Sequence, residues 1–219
     1  MRMAIPDFLS PGELAEIRAA ARALRYADGR ASAGWAARLV KENRQARPEA
    51  ATLALAERVA RAILSHQLFN LAVRPKALAP LIFARYGAGE SYGLHVDDAV
   101  MGGMRTDVSF TLFLADPADY EGGDLVIEDS GGQERIKMAA GGLYLYPSTT
   151  LHEVAPVTAG ERMVCVGWAR SFIRRAGRRE LLFDLDTARR AVFEKDGKSQ
   201  AFDLLSKCAA NLLREWVED

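Results

Sequence analysis

The sequence lacks most of the features that mark specialised proteins. Of its 219 residues only two are cysteine, Cys165 and Cys208, and they form no CxxC pair. That excludes a disulfide framework and a cysteine-built zinc or iron–sulfur site. Cys165 lies in the apolar run Met163-Val164-Cys165-Val166 and Cys208 in a helical pattern, so both are expected to be buried, reduced thiols. Net charge is also missing: 29 Lys and Arg offset 29 Asp and Glu. A nucleic-acid backbone calls for a basic face, so no nucleic-acid partner is expected. No run approaches the roughly 20 apolar residues of a membrane span. The opening MRMAIPDFLS has neither a long apolar segment nor a cleavage signal. The expectation is a cytoplasmic protein with no membrane partner.

What is present is a change of period along the chain. Ser10-Pro11-Gly12-Glu13 reads as a capping box with proline in the first turn, and Leu14, Ile17, Ala21 and Leu24 follow at helical spacing. Residues 25–47 have weak periodicity and are expected to be mostly loop. A second helix is expected from about Pro48 to His66, with Leu55, Val59 and Ile63 on one stripe. From residue 80 the period becomes strand-like. Leu81 to Tyr86 makes a short strand, and Asp107 to Ala115 is the clearest one, with Val108, Phe110, Leu112 and Leu114 on one side. Gly-Gly turns at 122–123, 131–132 and 141–142 separate Leu125–Ile127, Arg135–Met138 and Leu143–Tyr146. Val154–Val157 and Arg162–Phe172 follow around a Thr158-Ala159-Gly160 turn. After about Arg178 the helical period returns. Ser199 caps a last helix whose Phe202, Leu205, Ala209, Leu212 and Trp216 share one face. That face calls for cover, from the strand block or from a second copy of the chain, so a homo-oligomer through the C-terminal helices is left open. The fold class expected is mainly β with flanking helices, an antiparallel sandwich or barrel. The expected divisions are an N-terminal helical region 1–78, a core 79–175 and a C-terminal helical extension 176–219.

Histidine is scarce, with three in the chain. His66 ends the second helix and reads as a helix-terminal side chain. His95 and His152 fall at strand ends inside the strand-rich block. His95 is followed by Asp97, and residues two apart on an extended backbone face the same side. An imidazole and a carboxylate so placed can grip one ion. A distant second histidine completes a two-His-one-carboxylate triad that leaves positions open for a bidentate ligand and oxygen. By itself His-x-Asp is commonly only a strand end with satisfied polar groups. Three features add to it. Arg162 leads an apolar strand ten residues after His152, where a hairpin can bring a guanidinium, the natural bidentate partner of a carboxylate, back to the pocket. Tyr86 and Tyr92 can place hydroxyls at the rim, although aromatic core packing fits each equally well. Trp168 shares the facing of Arg162 and can wall the pocket or donate a hydrogen bond, although a lone tryptophan there also reads as core.

Taken together, Arg85-Tyr86, Gly89, Tyr92, His95-Val96-Asp97, the strand Ser109–Leu114, Glu121-Gly122-Gly123-Asp124-Leu125, Pro147-Ser148, His152-Glu153-Val154, Pro156-Val157-Thr158, Gly160 and Arg162 resemble the prolyl/lysyl hydroxylase type of iron(II)/2-oxoglutarate dioxygenase. The stretch Glu180-Leu181-Leu182-Phe183-Asp184 and the flanking helices resemble the bacterial PKHD-type (PiuC-like) hydroxylases. The resemblance covers roughly residues 80–172 and implies a double-stranded β-helix (jelly-roll) core. It implies His95, Asp97 and His152 as ligands of iron, Fe(2+), and Arg162 as the anchor of the distal carboxylate of the co-substrate 2-oxoglutarate. It puts Tyr86 and Trp168 at co-substrate contacts. It also implies O2 as oxidant, L-ascorbate to rescue oxidised iron, and a link to iron uptake. Collagen-type prolyl hydroxylases carry lysine where this chain has Arg162, which matches the PKHD-type group instead. The substrate is a peptidyl side chain or a small molecule, and the sequence does not choose. The loop Asp98 to Thr106, with Gly102-Gly103, is expected to act as a lid over it. Two rival readings remain open: a cupin-like metal-binding protein without 2-oxoglutarate turnover, and an iron sensor.

Overall fold

Alternating side chains on Val108–Phe113 are buried on both faces of the strand, which requires material on either side of it. Two antiparallel sheets supply that material in a computed structural model describing residues 1–219 apart from Ala33 and Asp219. The larger sheet runs in the order Met3–Ile5, Leu143–Pro147, Val108–Phe113, Arg162–Ser171, Ile82–Tyr86, Arg44–Ala46, Tyr26–Asp28, with Pro75–Leu78 also pairing Arg162–Ser171. The smaller runs Gly132–Ile136, Leu125–Asp129, Leu151–Val154, Ser91–His95, Lys41–Glu42. Every pairing is antiparallel. The two face each other as a jelly roll, and the space between them holds the site.

Helices bury apolar side chains in one core with the larger sheet. Helix α1 (Pro11–Ala23) begins with the expected capping box: Ser10 Oγ accepts from the Glu13 amide, and Glu13 reaches back to the Ser10 amide. Its C-terminal carbonyls, Ala21 and Arg22, are taken by the guanidinium of Arg85. Helix α2 (Ala50–Ser65) buries Leu55, Val59 and Ile63 as its stripe demands. The chain then breaks at His66, which caps a separate short helix α3 (Gln67–Val73) by accepting from the Phe69 amide. Helices α4 (Ala176–Asp196) and α5 (Gln200–Trp216) form a hairpin, with Ser199 capping α5.

Four expectations need correction. Residues 25–47 are not mostly loop: Tyr26–Asp28, Lys41–Glu42 and Arg44–Ala46 are strands. Each is two or three residues long, too short to show a period, and becomes a strand by pairing with an existing sheet edge. The segment Val154–Val157 is two strands, Leu151–Val154 and Val157–Gly160, split at Ala155-Pro156 because proline cannot donate to a ladder. Strand pairing reaches Gly160, which turns with φ +75. Cys165 is buried as expected, but Cys208 is exposed, on the solvent side of α5.

Candidate metal and co-substrate site

Strand pairing across the smaller sheet assembles the metal-ligating groups. His95 ends Ser91–His95 and is the direct cross-strand partner of His152 on Leu151–Val154. The ligand atoms of His95, Asp97 and His152 all lie within 4.8 Å of one another. His95 Nδ1 is 2.8 Å from the Gly93 carbonyl, and His152 Nδ1 is 3.0 Å from that of Thr150. A carbonyl only accepts, so each Nδ1 carries the proton and each Nε2 keeps its lone pair for the centre. His152 Nε2 stands 3.8 Å from Asp97 Oδ2. Burial, with the neighbouring His152, holds His95 well below the ordinary imidazole value and favours the neutral, ligating form.

The surroundings fix these groups. Ser109 Oγ donates to Asp97 Oδ2 at 2.5 Å and lies 2.8 Å from Ser148 Oγ. The Tyr92 ring stacks on His95 with centroids 3.7 Å apart, and Tyr146 meets the edge of His152 at 5.0 Å. Burial raises the hydroxyl pKa of both Tyr92 and Tyr146, so both stay protonated.

Arg162 opens the strand Arg162–Ser171, pairs with Tyr86 and is 1% exposed. Its guanidinium lies between the rings of Tyr86 (5.1 Å) and Phe113 (5.6 Å). Nε and Nη1 are buried without a hydrogen-bond partner, as is Trp168 Nε1. Gly123 is required beneath it: φ is +66, and a Cβ would meet Arg162 Cδ at 3.1 Å and Val157 at 2.9 Å. A cavity of about 460 Å³ is lined by His95, Asp97, His152, Arg162, Tyr86 and Trp168. All seven residues singled out from the sequence, Tyr92 included, therefore share one cavity. Two imidazoles and a carboxylate suit iron(II), and an unpaired buried guanidinium in the same cavity suits the far end of a dicarboxylic keto acid. On these grounds the residues fit both groups.

Sequence reasoning missed three residues that face this cavity. Ser109 was discernible as the polar alternate of a buried strand. Tyr146 read as strand core. Lys41 lay in the stretch read as loop and gave no signal. The segment Asp98 to Thr106 is a small hairpin, Val100–Met101 against Met104–Arg105, turning through Gly102 and Gly103 at positive φ. Val100 and Met101 line the cavity mouth.

Residues 81–170 match the model of the 2OG-Fe(II) oxygenase superfamily, and residues 177–218 match the PKHD-type hydroxylase C-terminal domain. A PKHD-type hydroxylase of Picosynechococcus sp. is 51% identical over 98% of both chains. Another, from Acaryochloris marina, is 50% identical over the full length of both. Among solved structures, a Trichoplax adhaerens prolyl hydroxylase in complex with a hypoxia inducible factor peptide fragment superposes with TM-score 0.61 at 17% identity, covering 77% of this chain and 82% of that one. HygX from Streptomyces hygroscopicus, with nickel, 2-oxoglutarate and hygromycin B bound, gives 0.57 at 15% identity, covering 78% and 84%. These two likenesses concern the fold.

Proposed function

Because the chain belongs to the PKHD-type hydroxylases of the 2OG-Fe(II) oxygenase superfamily, we propose that it hydroxylates a C–H bond of its substrate at an iron(II) held by His95, Asp97 and His152, with 2-oxoglutarate anchored on Arg162. The observation that carries this reading is the buried guanidinium, two nitrogens unpartnered, facing the cavity that also contains the triad. When bound, iron and 2-oxoglutarate supply the oxidising power: dioxygen is consumed, the keto acid leaves as succinate and carbon dioxide, and one oxygen atom goes to the substrate carbon.

The chain's own work is positioning. Backbone carbonyls at the Nδ1 atoms of His95 and His152 fix the neutral-ring tautomer that leaves Nε2 as the ligating atom. Asp97 offers one oxygen inward while Ser109 steadies the carboxylate. Arg162 takes the distal carboxylate in a fork, and the Tyr86 and Phe113 rings exclude water from that pair. Trp168 Nε1, buried without a partner, is a further donor toward the co-substrate. L-Ascorbate is assigned as the reductant that returns the iron to its ferrous form. The core is assigned to residues 79–175, with 1–78 packed on it and 176–219 as an extension, a division the ranges of the two family matches support. The substrate is assigned only as a peptidyl side chain or a small molecule: one protein of similar fold is in complex with a peptide fragment and another has hygromycin B bound.

The test is succinate formation from 2-oxoglutarate with iron(II) and oxygen, alongside anaerobic binding of 2-oxoglutarate to the iron-loaded chain. Arg162→Ala must lose the co-substrate. Retained affinity would favour a cupin-like protein that binds metal without using 2-oxoglutarate.

A further inference from the structure

Two cations line the catalytic cavity, and the proposed function uses one. The other is Lys41, on the edge strand Lys41–Glu42, directly opposite Tyr92. It is 5% exposed. Its Nζ donates to Ser32 Oγ at 3.0 Å and stands 4.9 Å from the centroid of the Tyr92 ring, whose plane stacks on His95. The ammonium, a tyrosine face and a triad histidine thus form one column. The Ser32 hydroxyl reaches Gln45 Oε1 at 2.6 Å and the Gly29 carbonyl at 3.1 Å, so its proton is engaged there and its lone pair accepts from Lys41.

An ammonium has three protons to place. One goes to Ser32, and no carboxylate of the described residues pairs with the rest. Asp97 acts on the charge without ion-pairing it, and burial brings Lys41 down to about 8. A buried ammonium short of counter-charge weakens the fold unless a ligand completes it. 2-Oxoglutarate does not: on the reading above, its keto-acid end lies on the metal and its distal carboxylate on Arg162, so both of its ionic ends are taken. The remaining cation lines the same cavity as the apolar Val96, Val100 and Met101.

We propose that Lys41, set by Ser32, is the receptor for an oxyanion carried by the substrate, a carboxylate or a tetrahedral phosphate or sulfate ester. This inference rests on the assignment of 2-oxoglutarate to Arg162. It places the reactive carbon of the substrate within one small molecule's length of its anionic group. It also predicts that capping that group as an amide or neutral ester abolishes substrate-stimulated turnover.

The experiment uses the full chain, zinc-substituted and loaded with 2-oxoglutarate, with its lysine side chains isotopically labelled for NMR. The Lys41 Nζ and Cε resonances are assigned by their loss in Lys41→Met. Acetate and sulfate are titrated separately, with chloride at matched ionic strength as the control. Saturable movement of the Lys41 resonances by acetate alone supports a carboxylate substrate. Movement by sulfate alone supports a tetrahedral one, and movement by both supports an oxyanion receptor of either kind. Ser32→Ala, which keeps the ammonium and its resonances, is expected to weaken the probe affinity read from them by about tenfold. No saturable movement, or the same movement with chloride, overturns the proposal. So does a loss of 2-oxoglutarate affinity in Lys41→Met, because Lys41 would then serve the co-substrate. A wild-type chain that fails to bind 2-oxoglutarate at all sinks the underlying reading instead. The titration repeated on metal-free protein then still decides whether Lys41 binds oxyanions.

Discussion

Replacing Arg162 by methionine separates two effects that usually move together. The guanidinium is 1% exposed, and its Nε and Nη1 have no partner among the described residues. Leaving a buried charged donor unpaired costs roughly 1–3 kcal/mol and more for a full charge. The flanking Tyr86 and Phe113 rings return about 1–2 kcal/mol through their faces. A methionine of similar reach needs no partner, so the ligand-free chain is expected to gain about 1–2 kcal/mol, or about 2–8 °C in Tm for a chain of this size. Co-substrate binding moves the other way. Removing one member of a buried bidentate pair costs about 2–5 kcal/mol, which is roughly 30-fold to several thousand-fold in Kd. The assay is thermal denaturation of the iron-loaded, anaerobic chain with and without 2-oxoglutarate, together with direct titration. Wild type is expected to be stabilised by the keto acid, and Arg162→Met to start higher and gain nothing. A variant that melts below wild type without ligand, or that binds 2-oxoglutarate equally well, refutes the claim that this charge is held unpaired for a dicarboxylate.

Three further outcomes follow from the geometry. Asp97→Asn and His95→Ala should each leave a cooperatively folding chain with no measurable turnover, checked by circular dichroism and succinate formation. Full activity in either would remove the metal assignment. Ser109→Ala frees one Asp97 oxygen and should weaken iron affinity by about 10–100-fold while 2-oxoglutarate contacts persist, which metal titration measures. The hairpin across residues 98–106 should resist trypsin at Arg105 when iron and 2-oxoglutarate are bound, and identical cleavage with and without ligands would argue against a lid.

How far this site was legible depends on distance along the chain. His95 and Asp97 could be paired from sequence because an extended backbone repeats its facing every second residue, and the same rule joined Arg162 to Trp168. His152 and Arg162 lie far from His95 in sequence, and no local pattern brings them together. A hairpin within the ten residues after His152 suggested the return of Arg162 to the pocket, the composite resemblance joined it and His152 to His95, and the cross-strand pairing of His152 with His95 shows the route. Lys41 was invisible for a physical reason. Its strand is two residues long, and it exists because Ser91–His95 offers an open edge. The end of α2 at His66 was legible, but helix α3 was not, because it depends on one residue doing two jobs: His66 leaves the helical conformation and caps the next helix with its own ring. Cys208 was misread because a place in a helical pattern was taken to mean burial, whereas it falls outside the face of Phe202, Leu205, Ala209, Leu212 and Trp216 and is exposed.

The C-terminal hairpin reaches this site without touching it. Arg179 on α4 is buried, and its Nη1 donates to the Ile173 and Arg174 carbonyls at 2.8 Å each, while Nη2 donates to the Asp107 carbonyl at 3.2 Å. That same Asp107 carbonyl accepts from the Ser148 amide. Ser148 and Ser109 are joined through their hydroxyls. With the Ser109 proton on Asp97, Ser148 must donate to Ser109, so the chain of hydrogen bonds runs from Ser148 to the metal-facing carboxylate. Burial lowers the Arg179 pKa and Asp107 opposes that, and the hydrogen bonds of the guanidinium go to backbone carbonyls. Arg179→Met is therefore expected to cost about 1–3 kcal/mol in denaturant unfolding, because the Ile173 and Arg174 carbonyls lose a charged donor while that of Asp107 keeps the Ser148 amide. A purely structural anchor would stop there. If the extension also sets the carboxylate, the same variant, measured below its unfolding transition, binds iron(II) more weakly by about 10-fold, and Ser109→Ala added to it produces less than the product of the two losses. Independent effects on metal affinity would show that α4 clamps the sheet and does nothing for Asp97.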